Sequence, residues 1–197
     1  MSNEKQKIKI GITGGIGSGK TFVSSIFRKL NIPVFNADFE AKKCMSVDAR
    51  LKQKIENVFG REVYKKGVLQ NKVLAEIVFA NSENLEGLNR LVHPAVKKKF
   101  HNWCADQSSD VVIKEAAILF ESYSHIDLDK VICVSAPYET RIERVIKRDN
   151  ISKKQVMDRM KMQMSQVEKE KLSDFVIINN GVELLLPQII KIITQIN

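Results

Sequence analysis

Cysteine and long apolar runs are both scarce in this chain of 197 residues. The three cysteines, Cys44, Cys104 and Cys133, are odd in number and far apart, so their spacing predicts neither a disulfide framework nor a metal site. No apolar run is long enough to cross a bilayer, and residues 1–7 lack the apolar segment of a secretion signal. We therefore expect a soluble, cytoplasmic protein with buried, reduced cysteines and no membrane partner.

Negatively charged residues are fewer than positively charged ones, with 23 Asp and Glu against 32 Lys and Arg and a formal net charge of +9. Such a charge attracts polyanions, which include nucleic acids and also small substrates that carry several phosphates. Zinc-finger spacing, RNA-binding signatures and a basic stripe interleaved with aromatic residues are all missing, so we expect no nucleic-acid partner. Many of the lysines can be explained as a solvated surface. The sequence gives no sign of an obligatory protein partner.

Strand-like and helix-like segments alternate, which is typical of an α/β fold with a parallel sheet. Strands are predicted over residues 8–12, 32–35, 111–114, 130–135 and 174–179. From residue 38 to about 107 the pattern is helical only, with polar turns at 61–67 and 81–84, and residues 182–196 predict a closing helix. The helix after the first strand presents an apolar face made of Phe22, Val23, Ile26, Phe27 and Leu30. Repeats and Gly/Ser linkers are missing, so we predict one domain with an insertion.

Residues 14–21, Gly-Gly-Ile-Gly-Ser-Gly-Lys-Thr, match the phosphate-loop pattern G-x-x-x-x-G-K-[ST] between a predicted strand and a predicted helix. Glycines allow a tight turn whose N–H groups point at phosphate oxygens near the start of a helix. Lys20 would place a cation on the β- and γ-phosphates, and the Thr21 hydroxyl is a hard ligand for Mg²⁺. The motif therefore predicts ATP and Mg²⁺ as cofactors. The alternative is a glycine turn that only joins strand to helix.

An arginine cluster follows the fourth predicted strand. Arg141, Arg144 and Arg148 recur at three- and four-residue steps, which places them on one helix face. Small-molecule kinases close an arginine-rich lid over the transferred phosphoryl group, and a guanidinium grips phosphate oxygens at two points. Arg159 and Gln163 repeat the spacing on the next helix. The cluster favours a kinase lid, and the alternative is an exposed basic helix without a ligand.

Two carboxylates follow predicted strands at the edge where α/β sheets bind ligands. Asp38 suits the group that orients an acceptor hydroxyl and takes its proton, although spacing by itself favours a helix N-cap. Glu115 could hold a Mg²⁺-bound water, and the alternative is a surface or ion-paired glutamate. His93, which precedes a proline, is interpreted from spacing as a helix-end or core histidine.

Several segments together resemble the dephospho-coenzyme A kinase family. Residues 10–21 resemble the opening of these enzymes. Further similar segments follow in the family's order: 36–38 (Asn-Ala-Asp), 78–81 (Val-Phe-Ala-Asn), 91–94 (Leu-Val-His-Pro), 117–121 (Ala-Ile-Leu-Phe-Glu), Arg144 to Gln163, and 173–181 (Ser-Asp-Phe-Val-Ile-Ile-Asn-Asn-Gly). Departures from the family pattern are Asn36 for Asp, Thr21 for Ser, Ala117 for Pro and Glu115 for Asp.

The resemblance implies a P-loop NTPase core of five parallel strands flanked by helices, with a helical substrate-binding insertion and a helical lid. Within a single domain, the core would span about 1–37, 109–137 and 166–197, the CoA-binding insertion about 38–108 and the lid about 138–165. It also implies the final step of coenzyme A synthesis. In this step ATP phosphorylates the ribose 3′-hydroxyl of dephospho-CoA.

The resemblance further implies roles for individual residues. The catalytic residues would be Asp38, Lys20, Arg144 and Arg148, with Asp38 receiving the proton of the 3′-hydroxyl. ATP would contact Gly15, Ile16, Gly17, Ser18, Gly19, Lys20, Thr21, Phe22, Arg144 and Asn179. Dephospho-CoA would contact Asp38, Phe79, His93, Leu119 and Arg159. Mg²⁺ would bind Thr21, with Glu115 acting through water.

Two other functions compete with this interpretation. A kinase for nucleoside monophosphates or sugar acids would share the loop and the lid, but would not explain residues 78–81 together with 91–94. A non-catalytic nucleotide switch or an RNA-binding regulator would use the positive charge. It would have no need of two carboxylates and a lid.

Overall fold

The computed structural model describes residues 7–196, with the side chains at positions 79 and 82 left out. The chain forms two compact units. One combines the chain up to Phe35 with the chain from Asp106 onward, and the other is Asn36–Ala105. Within residues 7–196, every helix is either too short or too polar to span a bilayer. Cys44, Cys104 and Cys133 are buried thiols, as the sequence predicted.

A five-stranded sheet forms the centre of the first unit, in the order β2-β5-β1-β6-β7. Its strands are β1 (Ile8–Thr13), β2 (Val34–Asn36), β5 (Val111–Glu115), β6 (Lys130–Ser135) and β7 (Phe175–Ile178). Strand β1 pairs in parallel with β5 and β6, and β6 pairs in parallel with β7. Short runs of Val and Ile buried on both faces are the expected composition of such strands. The predicted α/β class and its parallel sheet are confirmed.

Five helices belong to this unit: α1 (Lys20–Lys29), α6 (Tyr138–Asp149), α7 (Lys153–Lys161), α8 (Gln166–Leu172) and α9 (Leu185–Ile196). The main core joins the sheet to α1 and α9, with Phe27 and Ile189 fully buried. Phe22 departs from the predicted apolar face, because 61% of it is exposed. The closing helix begins at Leu185, three residues later than predicted.

Parallel strands bring their carboxyl ends to one edge of the sheet, and this edge positions the site. The glycine loop follows β1, Glu115 ends β5, and Asn179 follows β7. Pro137 follows β6 and is the N-cap of α6. Residues far apart in the sequence therefore meet at the glycine loop.

The second unit contains the helices α2 (Ala37–Val47), α3 (Ala49–Phe59), α4 (Asn71–Ala80) and α5 (Ser82–Ala105). The sequence predicted only helices and turns in this unit, which is wrong for residues 64–65 and 68–69. After a short 3₁₀ turn, β3 (Tyr64–Lys65) and β4 (Val68–Leu69) form an antiparallel hairpin. Lys66 and Gly67 have φ angles of 51° and 76°, and positive φ at both central residues is the geometry of a tight two-residue hairpin turn.

Candidate active site

The glycine loop joins β1 to α1 at the carboxyl edge of the sheet. Gly17 and Gly19 have φ angles of 82° and 94°, a left-handed conformation that favours glycine. A Cβ atom at Gly17 would also collide with the backbone of Arg141. The same crowding shows that the loop packs directly against the start of α6.

Lys20 is the first residue of α1, and its ammonium group lies against the loop. Its Nζ donates hydrogen bonds to the carbonyl oxygens of Gly14 at 2.8 Å and Gly15 at 3.4 Å. Gly19 is the N-cap of α1, so no capping side chain covers the N–H groups of the first turn. These N–H groups carry the positive end of the helix dipole, which favours an anion. The loop can therefore receive phosphate oxygens beside a lysine cation.

Thr21 and Glu115 meet next to the loop, although 94 residues separate them. The Thr21 hydroxyl donates a hydrogen bond of 2.7 Å to Oε1 of Glu115. The Glu115 side chain is buried at the end of β5, so it is not a surface glutamate. Both residues offer the hard oxygen atoms that Mg²⁺ prefers. The described residues hold no cluster of three or more His, Cys, Asp or Glu suited to a metal.

Arg144 and Asn179 both contact the carbonyl oxygen of Ser18. Nδ2 of the buried Asn179 donates to it at 2.8 Å, and a guanidinium nitrogen of Arg144 lies at 3.5 Å, the long end of hydrogen-bond distance. The backbone N–H of Asn179 is in turn fixed by the carbonyl of Ser135 at 2.7 Å. These two residues, both predicted on the nucleotide side, thus lie together at the loop.

Arg148 and Arg159 are both bound to Asp149, which ends α6. Arg148 donates to the two oxygens of this carboxylate at 2.7 Å and 3.0 Å, and Arg159 donates to one of them at 2.8 Å. The hydrogen bond from Arg148, helped by the charges of both arginines, lowers the pKa of Asp149 below its usual value. The same bond raises the pKa of Arg148. Asp149 therefore joins α6 to α7 and binds both Arg148, predicted to act on the transferred phosphoryl group, and Arg159, predicted to contact the substrate.

Arg141 was predicted to share a phosphate-gripping face with the other arginines, but its surroundings differ. It is only 6% exposed, and its Nε donates to the carbonyl oxygen of Ile16 at 3.0 Å. Burial lowers the pKa of its guanidinium.

Gln163 and Gln166 bind the same part of the loop, since their side-chain oxygens accept from the N–H groups of Ile16 and Gly15, each at 2.9 Å. Sequence reasoning missed Gln166 altogether.

A buried ion pair supports the segment that carries these glutamines. Lys169 is fully buried, and its Nζ lies 2.7 Å from Oε1 of Glu121. The same oxygen accepts from the backbone N–H of Met164 at 2.9 Å. Lys169 also donates to the carbonyl oxygen of Ala117 at 2.6 Å. This pair, which the sequence did not reveal, fixes the connection between α7 and α8 to the segment after β5.

Leu119, predicted to contact substrate, is fully buried after β5. A Cβ atom at Gly11 of β1 would collide with its side chain, so it packs against the sheet. Phe22, predicted to contact the nucleotide, is exposed at the start of α1. The substrate contact of Leu119 and the nucleotide contact of Phe22 both stay predictions.

The remaining predicted substrate residues belong to the second unit. Asp38 lies in the first turn of α2, and the N-cap interpretation of it is wrong. The N-cap is Asn36, whose backbone is extended and whose Oδ1 accepts from the N–H of Phe39 at 2.8 Å. His93 lies half-buried in the interior of α5, so it is not a helix-end residue. The side chain of Phe79 falls outside the described residues.

The sheet order, the loop between β1 and α1 and the carboxylate beside its threonine are the arrangement of a P-loop kinase. Enzymes of this class hold a nucleotide on the loop and transfer a phosphoryl group. The comparisons with known proteins agree. The Dephospho-CoA kinase family profile matches residues 8–184. The chain belongs to the dephospho-CoA kinase family, whose members are phosphotransferases that act on a hydroxyl group.

Individual relatives support this assignment. The dephospho-CoA kinase of Bacteroides fragilis is 41% identical over 187 residues, which are 94% of this chain and 91% of that protein. The solved structure of TT1252 from Thermus thermophilus matches with a TM-score of 0.87 at 31% identity, covering 97% of this chain and 98% of that one. The dephospho-CoA kinase from Campylobacter jejuni matches with a TM-score of 0.66 at 28% identity, covering 95% and 96%.

Proposed function

We propose that this protein phosphorylates the ribose 3′-hydroxyl of dephospho-CoA with ATP, which yields coenzyme A and ADP. The observation that carries the proposal is the glycine loop, where Lys20 lies on the loop and the Thr21 hydroxyl is 2.7 Å from the buried Glu115 carboxylate. A lysine cation and helix N–H groups suit phosphates. Family membership supports dephospho-CoA as the acceptor.

On the nucleotide side, Lys20 and the N–H groups of the loop would bind the β- and γ-phosphates. Mg²⁺ bound by Thr21, with Glu115 acting through water, would neutralise charge on these phosphates. Arg144 beside Ser18 would contact the nucleotide together with Asn179. The backbone of the whole loop and the side chain of Phe22 would complete the ATP contacts.

Charge on the transferred group would be stabilised by Lys20, Arg144 and Arg148. Because Arg148 and Arg159 are both paired with Asp149, each would have to exchange part of this pairing for phosphate oxygens. Bidentate guanidinium groups suit such an exchange, since they can bind carboxylate and phosphate in the same geometry.

On the acceptor side, Asp38 would orient the 3′-hydroxyl and take its proton. Its position in the first turn of α2 leaves it with no capping role, because Asn36 supplies the cap. Phe79, His93, Leu119 and Arg159 would contact dephospho-CoA. We assign residues 38–108 to CoA binding, 138–165 to a lid and the remainder to the core of one kinase domain.

The proposal places this reaction in the cytoplasm, which the three buried thiols support. It includes no nucleic-acid, membrane or obligatory protein partner.

A coupled ADP-release assay tests the acceptor. We expect turnover with ATP·Mg²⁺ and dephospho-CoA, and none with AMP, CMP or gluconate. If dephospho-CoA is inert while another acceptor works, the enzyme is a different small-molecule kinase. If ATP binds tightly but no acceptor is phosphorylated, the protein is a nucleotide switch and the proposal is wrong.

A further inference from the structure

Gln163, in the connection between α7 and α8, and Gln166, the first residue of α8, bind the first arm of the glycine loop, which we define as Gly14–Ile16. The side-chain oxygen of Gln166 accepts from Gly15 N–H at 2.9 Å, across 151 residues of sequence. The side-chain oxygen of Gln163 accepts from Ile16 N–H at 2.9 Å, across 147 residues. Adjacent N–H groups of the loop are therefore each held by a side chain from the same short segment.

Two neighbours fix the orientation of the Gln166 amide, because one can only donate a hydrogen bond and the other can only accept one. The Gly15 N–H can only donate, so it must face the amide oxygen. The carbonyl oxygen of Val134 can only accept, and it lies 3.3 Å from the amide nitrogen. The same nitrogen donates to Glu170 at 2.9 Å. Gln166, the first residue of α8, thus bridges the loop to strand β6, a role that needs a donor and an acceptor on one side chain.

Arg141 also holds the first arm. Arg141 donates to the carbonyl oxygen of Ile16 at 3.0 Å, and a Cβ atom at Gly15 would collide with its guanidinium. The arm is therefore closely surrounded, and a small movement of it would be resisted by several groups together.

Hydrogen bonds connect the first arm to the part of the loop that faces phosphate. The carbonyl oxygen of Gly15 accepts from Ser18 N–H at 3.1 Å. It also lies 3.4 Å from Nζ of Lys20, which donates to Gly14 as well. A displaced Gly15 peptide would therefore change the position of both the later N–H groups and the lysine cation. Catalytic and binding groups of this kind lose much of their effect when they move by about 1 Å.

We propose that Gln163 and Gln166 are positioning residues for nucleotide binding, which hold the first arm of the glycine loop in its phosphate-binding geometry. They act through the N–H groups of Ile16 and Gly15 and not by touching the nucleotide. Gln163 lies just after α7, so the end of the proposed lid is tied to the loop. This inference rests on the proposed function, since it concerns the same nucleotide site.

The test replaces each glutamine with methionine, which has a similar length and lacks both hydrogen-bonding groups. Gln195→Met at an exposed position of α9 is the matched control. Isothermal titration calorimetry measures the Kd of ADP·Mg²⁺ without any acceptor. We expect Gln166→Met and Gln163→Met each to weaken ADP binding by about tenfold, with the KM of dephospho-CoA little changed. The control should bind ADP like the wild type.

Hydrogen exchange of single amides, measured by NMR, distinguishes the proposed role of the glutamines from a general loss of stability. The N–H exchange of Gly15 should accelerate in Gln166→Met, and that of Ile16 in Gln163→Met, while core amides of β1 stay protected. If Gln166→Met loses its cooperative thermal transition, Gln163→Met carries the test by itself.

Unchanged ADP affinity in the folded variants would overturn the inference, as would unchanged exchange of both amides. An equal rise in the KM of dephospho-CoA and the Kd of ADP would also overturn it, because it would indicate a general distortion. The proposed function fails in a different way: the wild type would then not bind ADP, or would not phosphorylate dephospho-CoA.

Discussion

The hydroxyl of Thr21 donates a 2.7 Å hydrogen bond to Oε1 of Glu115, which ends β5. If these oxygen atoms serve Mg²⁺, Glu115→Gln should raise the Mg²⁺ concentration for half-maximal activity. The amide keeps the size of the side chain and an acceptor for Thr21, but it removes the negative charge that attracts the ion. We expect an increase of roughly tenfold, measured by titrating Mg²⁺ at fixed ATP. Glu143→Gln on the exposed side of α6 is the control, and equal Mg²⁺ requirements in both variants would contradict the assignment.

Lys20→Met should abolish most of the activity, because no other cation of the loop can replace the Nζ that lies on Gly14. Loss of one preorganised charge at a phosphoryl-transfer site costs about two to three decades in kcat. The ADP-release assay measures it. Lys29→Met, at the exposed end of the same helix, should behave like the wild type. A Lys20→Met variant with normal kcat would exclude the lysine from the transfer step.

Asp38→Asn should lower kcat by about two or more decades, because an amide cannot accept the proton of the 3′-hydroxyl. The cap of α2 should stay intact, since Asn36 and not Asp38 supplies it. Asn36→Ala should instead lower the free energy of unfolding by about 1 kcal/mol, because it removes the cap. Circular dichroism and steady-state kinetics on both variants separate the two roles. Normal turnover by Asp38→Asn would exclude it as the base.

Cys133 should make the protein less stable in alkali. Burial, together with the charge of Glu170, raises the pKa of its thiol to about 11. The folded state therefore keeps the thiol protonated where the unfolded chain, with a usual pKa near 9.0, releases the proton. Stability is full below the unfolded pKa and falls as the pH rises toward the folded pKa, by an amount of order 2 kcal/mol.

Urea unfolding at several pH values between about 8 and 11 measures this loss. The free energy of unfolding of Cys133→Ala should depend less on pH than that of the wild type in this window. Parallel profiles would show that the buried thiol does not cause the alkaline destabilisation.

Lys169→Met should destabilise the fold by about 3 kcal/mol, because it leaves the mostly buried Glu121 carboxylate without its cation. The double variant Lys169→Met/Glu121→Gln should recover part of this loss, since no unpaired charge remains. Equilibrium unfolding in urea provides both values. A double variant that is no more stable than Lys169→Met would contradict this prediction, because it would show that the unpaired Glu121 carboxylate is not the cause of the loss.

Local patterns in the sequence predicted a large part of this protein. Short Val- and Ile-rich runs predicted all five strands of the sheet, because parallel strands are buried on both faces and leave a continuous apolar signal. The glycine loop was predicted with its neighbouring strand and helix, since its backbone conformation depends on the glycines themselves. The hairpin at residues 64–69 was missed. Its strands have two residues each, too few to show an alternating pattern.

The partners of the site residues could not be predicted in the same way. The spacing in α6 predicted that Arg141, Arg144 and Arg148 share one helix face and all bind phosphate. Their depths in the fold differ, with Arg141 buried against Ile16 and Arg148 paired with Asp149 at the surface. Helical spacing gives the direction of a side chain around its axis, but not what lies opposite to it.

The sequence by itself determined the class of the fold, the nucleotide loop and the family, because each depends on the order of residues along the chain. Only the tertiary structure decided that Gln166 holds Gly15 and that Glu115 faces Thr21. These contacts join segments separated by 151 and 94 residues. Parallel strands bring Glu115 to Thr21 by aligning the carboxyl ends of β5 and β1 at one edge of the sheet, whereas Gln166 reaches Gly15 from the start of α8. No local pattern encodes such contacts, because they arise from the packing of strands and helices in the fold and not from their order in the chain.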